Sequence, residues 1–498
     1  MKSIIIIICL LFTVCSCSDN FLEIYPETSL NEGNFYQSDE ELTILVNGCY
    51  VPLSGYSKRD HWIMSELKSD NMTIQVSSSA GDFSSWATDA LLAGSDDLTI
   101  KDFWNLSYNG IYRCNKVISI YEELIYTWSN EELKNRSIGE VYFLRALYYF
   151  DLVRQFGDVP LVTKNISGKE AVAIKRSPVD EVYKLIISDL NNAQEHLSEA
   201  TQIEVNGRVN ESAALGLLGK VYLTQKDYIA SEKVLKMVIV SGKFSLLPNY
   251  ADLFNPVFKD FKETIFSVQC SEGAADLSNN FIFFNAPYLS KGDVTNRPNI
   301  ALALAGNMQP SQDLIDAFEV GDKRKNVSIN YWTGPDWTGV ISAIPYCSKY
   351  KPPQSSPLNW CGDNFPVLRY SDILLMYAEV LNNQGRTMEA SSYVFMVRER
   401  AGLTNDISDL SKSNLDLLIE KERQVEFCFE NQRWYDLVRR DRVLEVMNAH
   451  FVSSIYNNPY FSNAFVNYPL SGMAPYQILA ALPGEQILVN KLEQNPGY

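Results

Sequence analysis

Histidine is scarce in this chain of 498 residues, where only His61, His196 and His450 occur, at scattered positions. The six cysteines that follow Cys17 form no CxxC pair, so the sequence contains no zinc-type constellation. A GxSxG nucleophile elbow and a phosphate-binding P-loop are also missing. The 60 acidic residues guarantee chance carboxylate pairs, so a glycosidase dyad cannot be inferred from composition. We therefore expect no enzyme, no metal and no cofactor.

Positive charge is also in short supply. The chain has 43 Lys and Arg against 60 Asp and Glu, and its formal net charge is −17. Such a surface repels phosphate backbones and gains nothing from counterion release, so nucleic acid is not an expected partner. Beyond the N-terminal segment, no apolar run approaches the ~20 residues that a transmembrane helix needs.

The N-terminal segment carries a targeting signal. Lys2 precedes an apolar run over residues 4–14, and Ser16 stands directly before Cys17, which is typical of a secretory signal peptide. The cysteine resembles that of a bacterial lipobox, in which signal peptidase II cuts before the cysteine and its thiol carries a diacylglycerol. We expect a signal peptide over residues 1–16 and lipidation of Cys17. An ordinary cleaved signal is the alternative, and Cys15 is a weaker candidate for acylation.

Helical periodicity dominates two blocks of the mature chain, on either side of a different middle segment. The middle segment is rich in Pro, Gly, Asn and aromatics, with one predicted strand at residues 263–268 and a predicted loop at residues 331–337. A long irregular segment in a helical scaffold is where function is expected. The predicted regions are an N-terminal helical region (17–243), a ligand-binding insertion (244–369) and a C-terminal helical region with its tail (370–498).

Small residues about a dozen apart across a short turn indicate tetratricopeptide-like hairpins, because they permit close packing of the two helices. Ala378 and Ala390 fit this spacing, Gly219 and Ala230 fit with one residue of slippage, and Ala146 gives a partial match. The predicted fold is therefore mainly α, a tetratricopeptide-like helical-hairpin scaffold with a large irregular insertion and few short strands.

Four motifs occur in order along nearly the whole chain. They are EVYFLRALYYF at residues 140–150 with FGDVPL at 156–161, FPVLRYSDILLMYAE at 365–379, VRERAG at 397–402, and EKERQVEF with FENQRWYDL at 420–437. Together they resemble the SusD/RagB-type outer-membrane lipoproteins of Bacteroidetes. Asn431 stands where that family usually has glycine, and because asparagine tolerates a left-handed conformation, we expect the helix to break there.

Charged residues recur at three- and four-residue spacing in the last motif, which predicts one shared helix face for Arg423, Glu426, Glu430 and Arg433. A catalytic carboxylate pair is one interpretation. We favour a partly buried ion-pair network that joins helices and specifies the fold, and we expect Arg145 and Arg369 to join it.

Aromatic residues give the better functional signal, because sugar rings stack on indole and phenol rings while nearby polar groups bond the hydroxyls. Trp104, Trp128 and Trp434 lie in helical patterns and are expected in the core, whereas Trp62 and Trp360 lie in loop-like sequence. The resemblance implies a glycan platform built from an early loop and loops of the insertion. The candidate ligand-binding residues are Trp86, Tyr331, Trp332, Trp337, Asp70 and Asn71. The alternative is that half of the loop aromatics are buried plugs.

The resemblance implies a lipoprotein of the outer membrane, facing the cell exterior, that binds an oligomeric nutrient. A glycan is the expected ligand, and a SusC-like TonB-dependent transporter is the expected partner, over which the protein would sit as a lid. A binder of peptides or another non-sugar nutrient, a tetratricopeptide-like assembly scaffold, and a glycoside hydrolase are the alternatives. Whether Cys347 and Cys361 form a disulfide is left open by the sequence.

Overall fold

The computed structural model describes the chain in nine stretches, namely residues 36–74, 83–199, 207–256, 262–273, 275–296, 308–336, 339–353, 360–452 and 472–498. The predicted signal peptide (1–16), the lipidation site Cys17 and the aromatic candidate Trp337 lie outside these residues. Where described, the chain is mainly helical, as the sequence predicts.

The N-terminal region begins with short helices and continues with long ones. Its helices are α1 (Asp39–Tyr50), α2 (Arg59–Trp62), α3 (Phe83–Asp89), α4 (Leu98–Glu122), α5 (Glu131–Phe156), α6 (Gly168–Ala173), α7 (Val179–Glu199), α8 (Glu211–Thr224) and α9 (Tyr228–Val240). The N-caps of the long helices follow from sequence: Asp97 accepts hydrogen bonds from the first amides of α4, and Asn130 does so for α5.

The C-terminal region resumes the helical pattern. Its helices are α14 (Tyr370–Asn383), α15 (Thr387–Arg400), α16 (Lys412–Glu426), α17 (Arg433–Arg439), α18 (Val443–His450) and α19 (Gly484–Val489). Gly385, with φ 82°, follows α14 and ends it. The helices of the intervening insertion, α10 to α13, are short: Phe281–Asn285, Gly292–Thr295, Gln312–Ala317 and Lys325–Ser328.

Eight helices of the two regions form one continuous array. Each packs on the next in the order α4, α5, α7, α8, α9, α14, α15 and α16. Because α9 packs directly on α14, the insertion leaves and re-enters the array between two neighbouring helices. This arrangement confirms the predicted tetratricopeptide-like scaffold.

Close packing within the α8–α9 hairpin depends on a glycine. A Cβ added to Gly219 would lie 2.4 Å from Leu235 Cδ2, and the hydroxyl of Ser231 donates to the Gly219 carbonyl at 2.8 Å. The small partner on α9 is therefore the buried Ser231, one residue beyond the predicted Ala230. Ala378 and Ala390 are fully buried.

The strands are short and pair in antiparallel twos. They are β1 (Met72–Ile74), β2 (Val159–Pro160), β3 (Arg176–Ser177), β4 (Thr264–Val268), β5 (Met308–Pro310), β6 (Ile329–Pro335), β7 (Ile341–Cys347) and β8 (Phe365–Arg369). The pairs are β1–β5, β2–β3, β4–β8 and β6–β7. The strand predicted at residues 263–268 is confirmed as β4.

Three local predictions are wrong. The loop predicted at residues 331–337 begins as strand β6, because aromatic and β-branched residues favour a strand and Gly334 and Pro335 come only at its end. Trp62 ends helix α2 and is fully buried, instead of lying in a loop. Trp128 lies in the connection between α4 and α5 and is half-buried, instead of lying in a helix core.

The six cysteines of the described stretches are buried and form no disulfides with one another, so Cys347 and Cys361 are not bridged. Across those same stretches, every helix falls short of the length and apolar character that crossing a bilayer requires.

Candidate functional site

Two strand pairs attach the insertion to the scaffold. β4 lies near the start of the insertion and β8 at its end, and the pairing of Thr264 with Arg369 and Val268 with Phe365 closes its neck. β1 belongs to the early region and pairs with β5 of the insertion, from Met72 opposite Pro310 onward. The early region and the insertion therefore meet in space at this strand pair.

Strands β6 and β7 form a hairpin whose register separates its side chains into two faces. Trp332 lies opposite Ile344, and Tyr331 lies opposite Pro345. Because side chains alternate along a strand, Tyr331 and Trp332 point to opposite faces of the hairpin. A single flat ligand on one face cannot stack on both rings.

The indole of Trp332 is held in a defined position. A Cβ added to Gly334 would lie 1.9 Å from the indole Cη2, so the ring lies across the backbone of this glycine. The indole Nε1 donates to Asp293 Oδ2 at 3.0 Å. An orientation fixed at two points leaves the ring prepared for stacking at little entropic cost.

The face that carries Trp332 covers a small hydrophobic core within the insertion. Ile282, Phe283 and Cys361 are buried there, and the half-buried rings of Tyr346 and Trp360 pack against them. Trp360 meets Phe283 edge to face, with ring centroids 5.8 Å apart. We name Trp332, Tyr346, Trp360 and Asp293 the hairpin platform: three half-buried aromatic rings beside one carboxylate.

The opposite face of the hairpin is more open. Tyr331 is 46% exposed and Ile341 is 66% exposed. Tyr331 therefore has an accessible ring, but on the other side of the strand from the hairpin platform.

Trp86, the early-region candidate, lies on α3 and is only 9% exposed. It belongs to the main hydrophobic core of the scaffold. With most of the indole enclosed, little of its face is available for stacking, and we leave it out of the hairpin platform.

Asp70 and Asn71 are buried and bonded to the C-terminal region. Asp70 receives a bidentate ion pair from Arg433, at 2.7 and 2.8 Å. Asn71 donates to Glu66 Oε2 at 2.8 Å and accepts from Gln424. Their polar atoms are engaged in holding the early region to α16 and α17, so we leave these residues out of the hairpin platform as well.

A buried ion-pair network lies at the neck of the insertion. Arg369 contacts Glu263 at 3.0 Å, Glu426 at 2.9 Å and Glu430 at 2.8 Å. Glu426 also binds Arg324 and Arg400. Burial opposes ionisation of Glu426, but Arg400, Arg369 and Arg324 outweigh it and hold its pKa well below the ordinary value. These carboxylates are neutralised by arginines and enclosed, an arrangement suited to stabilising the fold.

The predicted shared helix face is wrong. Helix α16 ends at Glu426, and Phe429 and Asn431 take left-handed conformations with φ 65° and 59°. The chain turns there, so Glu430 and Arg433 lie beyond the helix that carries Arg423. The expected break at Asn431 is confirmed, and it is this break that separates the four charged residues.

The remaining predicted members form separate pairs. Arg423 binds Asp372 and Asp436, each at 2.8 Å. Arg145 binds Asp189 through two hydrogen bonds, at 2.8 and 2.7 Å, and so joins α5 to α7 instead of the network at the neck. The geometry differs from the prediction because the guanidinium of Arg145 is bound to Asp189 of α7, Asn115 and the Thr163 carbonyl, and not to the carboxylates at the neck.

An acidic cluster surrounds His450 where β1, α3, α12 and α18 meet. His450 Nδ1 lies 2.5 Å from Asp313 Oδ2, and Asp89 accepts from the Ile74 amide at 3.0 Å and from Thr73. Burial opposes the charge on His450, but Asp313, Asp70 and Asp89 raise its pKa. Burial raises the pKa of Asp89 to about 6, against the lowering effects of the Ile74 amide, His450 and Thr73.

Three members of the hairpin platform, Tyr346, Trp360 and Asp293, are not among the ligand-binding residues predicted from sequence, although Trp360 lies in loop-like sequence. Tyr346 had a weak signal, because Ile341, Ile344 and Tyr346 favour a strand that can pair with residues 329–335. Asp293 gave none, because its contact with Trp332 spans 39 positions along the chain.

Two family sequence models match the chain. One, SusD-like and described as starch-binding and associating with the outer membrane, matches residues 20–223, and the other, of the SusD family, matches residues 344–498. SusD-like protein P2 of Formosa agariphila is 28% identical over 523 residues, which cover 99% of this chain and 98% of that protein.

Solved structures share the fold. A SusD superfamily protein from Parabacteroides distasonis is 25% identical with a TM-score of 0.76, covering 94% of this chain and all of the other. A laminarin-binding SusD-like protein is 23% identical with a TM-score of 0.75, covering 93% of this chain and all of the other.

Glu426→Gln should destabilise the protein by about 3–5 kcal/mol, because it leaves three buried arginines with too little negative charge. Urea unfolding followed by circular dichroism measures the loss. Asp441→Asn is the matched control, since its pair with Lys226 is exposed and a loss below about 1 kcal/mol is expected. Equal losses for the two variants would contradict the structural role of the network.

The raised pKa of Asp89 predicts how the stability of the protein should depend on pH. With a pKa of about 6 in the folded protein, it keeps its proton where the unfolded chain, with a pKa of about 4, has lost it. The free energy of unfolding should therefore fall by about 2 kcal/mol from pH 4 to pH 6 and level off above about pH 7. Relative to wild type, Asp89→Asn should gain stability across that window in urea titrations. A difference that stays constant from pH 4 to pH 7 would refute this assignment, and Asp441→Asn serves as the flat control.

Proposed function

The chain belongs to the SusD/RagB family, and from this premise we propose that it is a surface-exposed, lipid-anchored protein that captures a glycan and delivers it to a SusC-like TonB-dependent transporter. The ligand would be an oligo- or polysaccharide, and the protein would act by binding and conformational gating, without turnover. The laminarin-binding relative of the same fold supports the choice of glycan.

The observation that carries the proposal is the hairpin platform. The indole of Trp332 is oriented by Gly334 and Asp293, Tyr346 lies on the same face of the hairpin, and Tyr346 and Trp360 pack on one small core. Sugar rings present apolar C–H faces to such aromatics, and a carboxylate such as Asp293 accepts hydrogen bonds from hydroxyls. Trp332, Tyr346, Trp360 and Asp293 form none of the buried ion pairs at the neck, so ligand contact with them need not disturb those pairs.

The carboxylates at the neck support binding without catalysis. A glycosidase needs one carboxyl group that keeps a proton and a second that reaches the substrate. Glu426 is fully buried among three arginines and ionised, and Glu430 is bonded to Arg369 and Lys349. Neither is placed to meet a sugar.

The scaffold and the N-terminal lipid supply the other parts of the proposal. The helical array would provide the contact surface for the transporter, over which the protein sits as a hinged lid. The diacylglycerol on Cys17 would keep the lid in the outer membrane with that transporter, on the exterior face. The acidic surface does not itself attract anionic lipid, so the covalent lipid would be the anchor.

Trp332→Ala should weaken binding of laminarin or soluble starch at least tenfold, about 1.4 kcal/mol, because it removes the oriented indole of the hairpin platform. Isothermal titration calorimetry and retention in polysaccharide gels measure the effect. Tyr331→Ala is the matched control: it is the neighbouring aromatic on the opposite face, and a change below twofold is expected.

The same assay separates the alternatives. A larger loss for Tyr331→Ala than for Trp332→Ala would place the ligand on the other face and overturn the platform. Failure to bind any member of a polysaccharide panel, with co-purification of a barrel, would favour a peptide ligand. Release of shortened products would favour a hydrolase, and the absence of both ligand and barrel would favour an assembly scaffold.

Cys17→Ala should separate anchoring from binding. The variant should fold and bind laminarin or starch with unchanged affinity in solution, because the hairpin platform is far along the chain from the lipid. It should be lost from the cell surface, as measured by protease accessibility and antibody labelling of intact cells. Retention of the variant in the outer membrane, or complete loss of ligand binding, would contradict this division.

A further inference from the structure

A second concave site lies on the scaffold, away from the insertion. It is a groove of about 260 Å³ between α4, residues 160–174 and the C-terminal tail around α19. Its lining is mostly apolar and includes Tyr108, Tyr112, Ile166, Ile174 and Leu492. No lining residue belongs to residues 244–369, so the groove is independent of the hairpin platform.

Apolar surface remains open in this groove. The ring of Tyr112 is 57% exposed. Lys164 is the only charged residue among those that line it. Exposed apolar grooves of this kind mark binding sites, and this one suits an apolar segment that also carries negative charge.

The N-terminal end of the described chain lies beside the groove. The ring of Tyr36, the first described residue, lies 5.6 Å from Lys116 Nζ. Lys116 is on α4, four residues and therefore one turn from Tyr112. Tyr36 therefore lies near one end of the groove.

The sequence before Tyr36 has the matching chemistry. Residues 21–26 read FLEIYP, with four large apolar side chains and one acid, and residues 18–35 contain four acids but no Lys or Arg. The segment also has the reach. Ten extended residues span about 33–36 Å, whereas the groove follows α4 from Asn115 to Trp104, about 16 Å of helix.

We propose that this groove is the seat of residues 21–26 of the same chain. Phe21, Leu22, Ile24 and Tyr25 supply the apolar contacts, and Glu23 is the counter-charge for Lys164. Cys17 lies only four residues before Phe21, so seating the segment fixes the place on the body where the chain reaches the membrane. This last consequence rests on the lipid anchor proposed above, whereas the seating itself does not.

Photo-crosslinking of the full mature chain tests the proposal, with Cys17→Ala added for solubility. A p-benzoylphenylalanine in place of Tyr112 should crosslink to residues 18–27 of the same molecule, mapped by mass spectrometry at low protein concentration. The same photo-residue in place of Ile229, which is 81% exposed on α9, should give no crosslink to that segment.

Substitutions in the N-terminal segment provide a second test of the proposal. Phe21→Asp with Ile24→Asp should lower the crosslink yield at position 112 more than tenfold, whereas Thr28→Asp should change it less than twofold. Melting temperatures of all variants confirm that the body is folded. Crosslinks to other regions, to a second copy, or of unchanged yield in the double variant would overturn the proposal. Laminarin or starch binding, measured on the same proteins, should be unaffected, so failure here is distinguishable from failure of the proposed function.

Discussion

Arg369 is the residue on which the two halves of the molecule depend. It stands at the junction of β8 and α14, where the insertion ends and the helical array resumes, and its guanidinium meets carboxylates from three other places in the chain. In an interior that excludes water, such a charge is tolerated only when its partners arrive together and in register. The neck strands, the end of α16 and the turn after it are therefore constrained jointly, because each contributes a group that the others need.

Because of this constraint, the geometry of one part of the molecule must be preserved, whereas a second part is free to vary. The helical array and the neck form one packed body with paired charges. The base of the β6–β7 hairpin packs into the main core through Ile329 and Cys347, and Tyr346 packs on a smaller core within the insertion, whereas Tyr331 and Ile341 are open to solvent. A binding surface on such a hairpin is held in place by the neck, although its own residues take no part in the ion pairs there. This explains how Trp332 can be well oriented although it lies in an exposed element.

Much of the helical scaffold can be predicted from the sequence, because local sequence patterns specify it. Helical periodicity, the glycine after α14 and the small residues of the hairpins are each readable within a few positions. The candidate site is harder to predict from the sequence, because its residues come together only through tertiary contacts. Asp70 pairs with Arg433 across 363 positions, and no local pattern distinguishes it from an exposed acid. Trp86 lies in Gly/Ser-rich sequence that is typical of a loop, but it is on helix α3 and the core of the scaffold encloses most of its ring. Gly334 and Pro335 favour a loop, but the strand-forming residues that precede them extend β6 as far as Pro335.

The register of the hairpin limits how its ligand range can diverge. Trp332 and Ile344 share a face only because side chains alternate strictly along both strands. Lengthening each strand by two residues would extend the hairpin by roughly 7 Å and keep every aromatic ring on its side. Adding one residue would turn the tip over and exchange its two faces. We therefore expect insertions and deletions in each strand of this hairpin to involve even numbers of residues. Proteins descended from one ancestor would then differ in hairpin length but keep each aromatic ring on the same face.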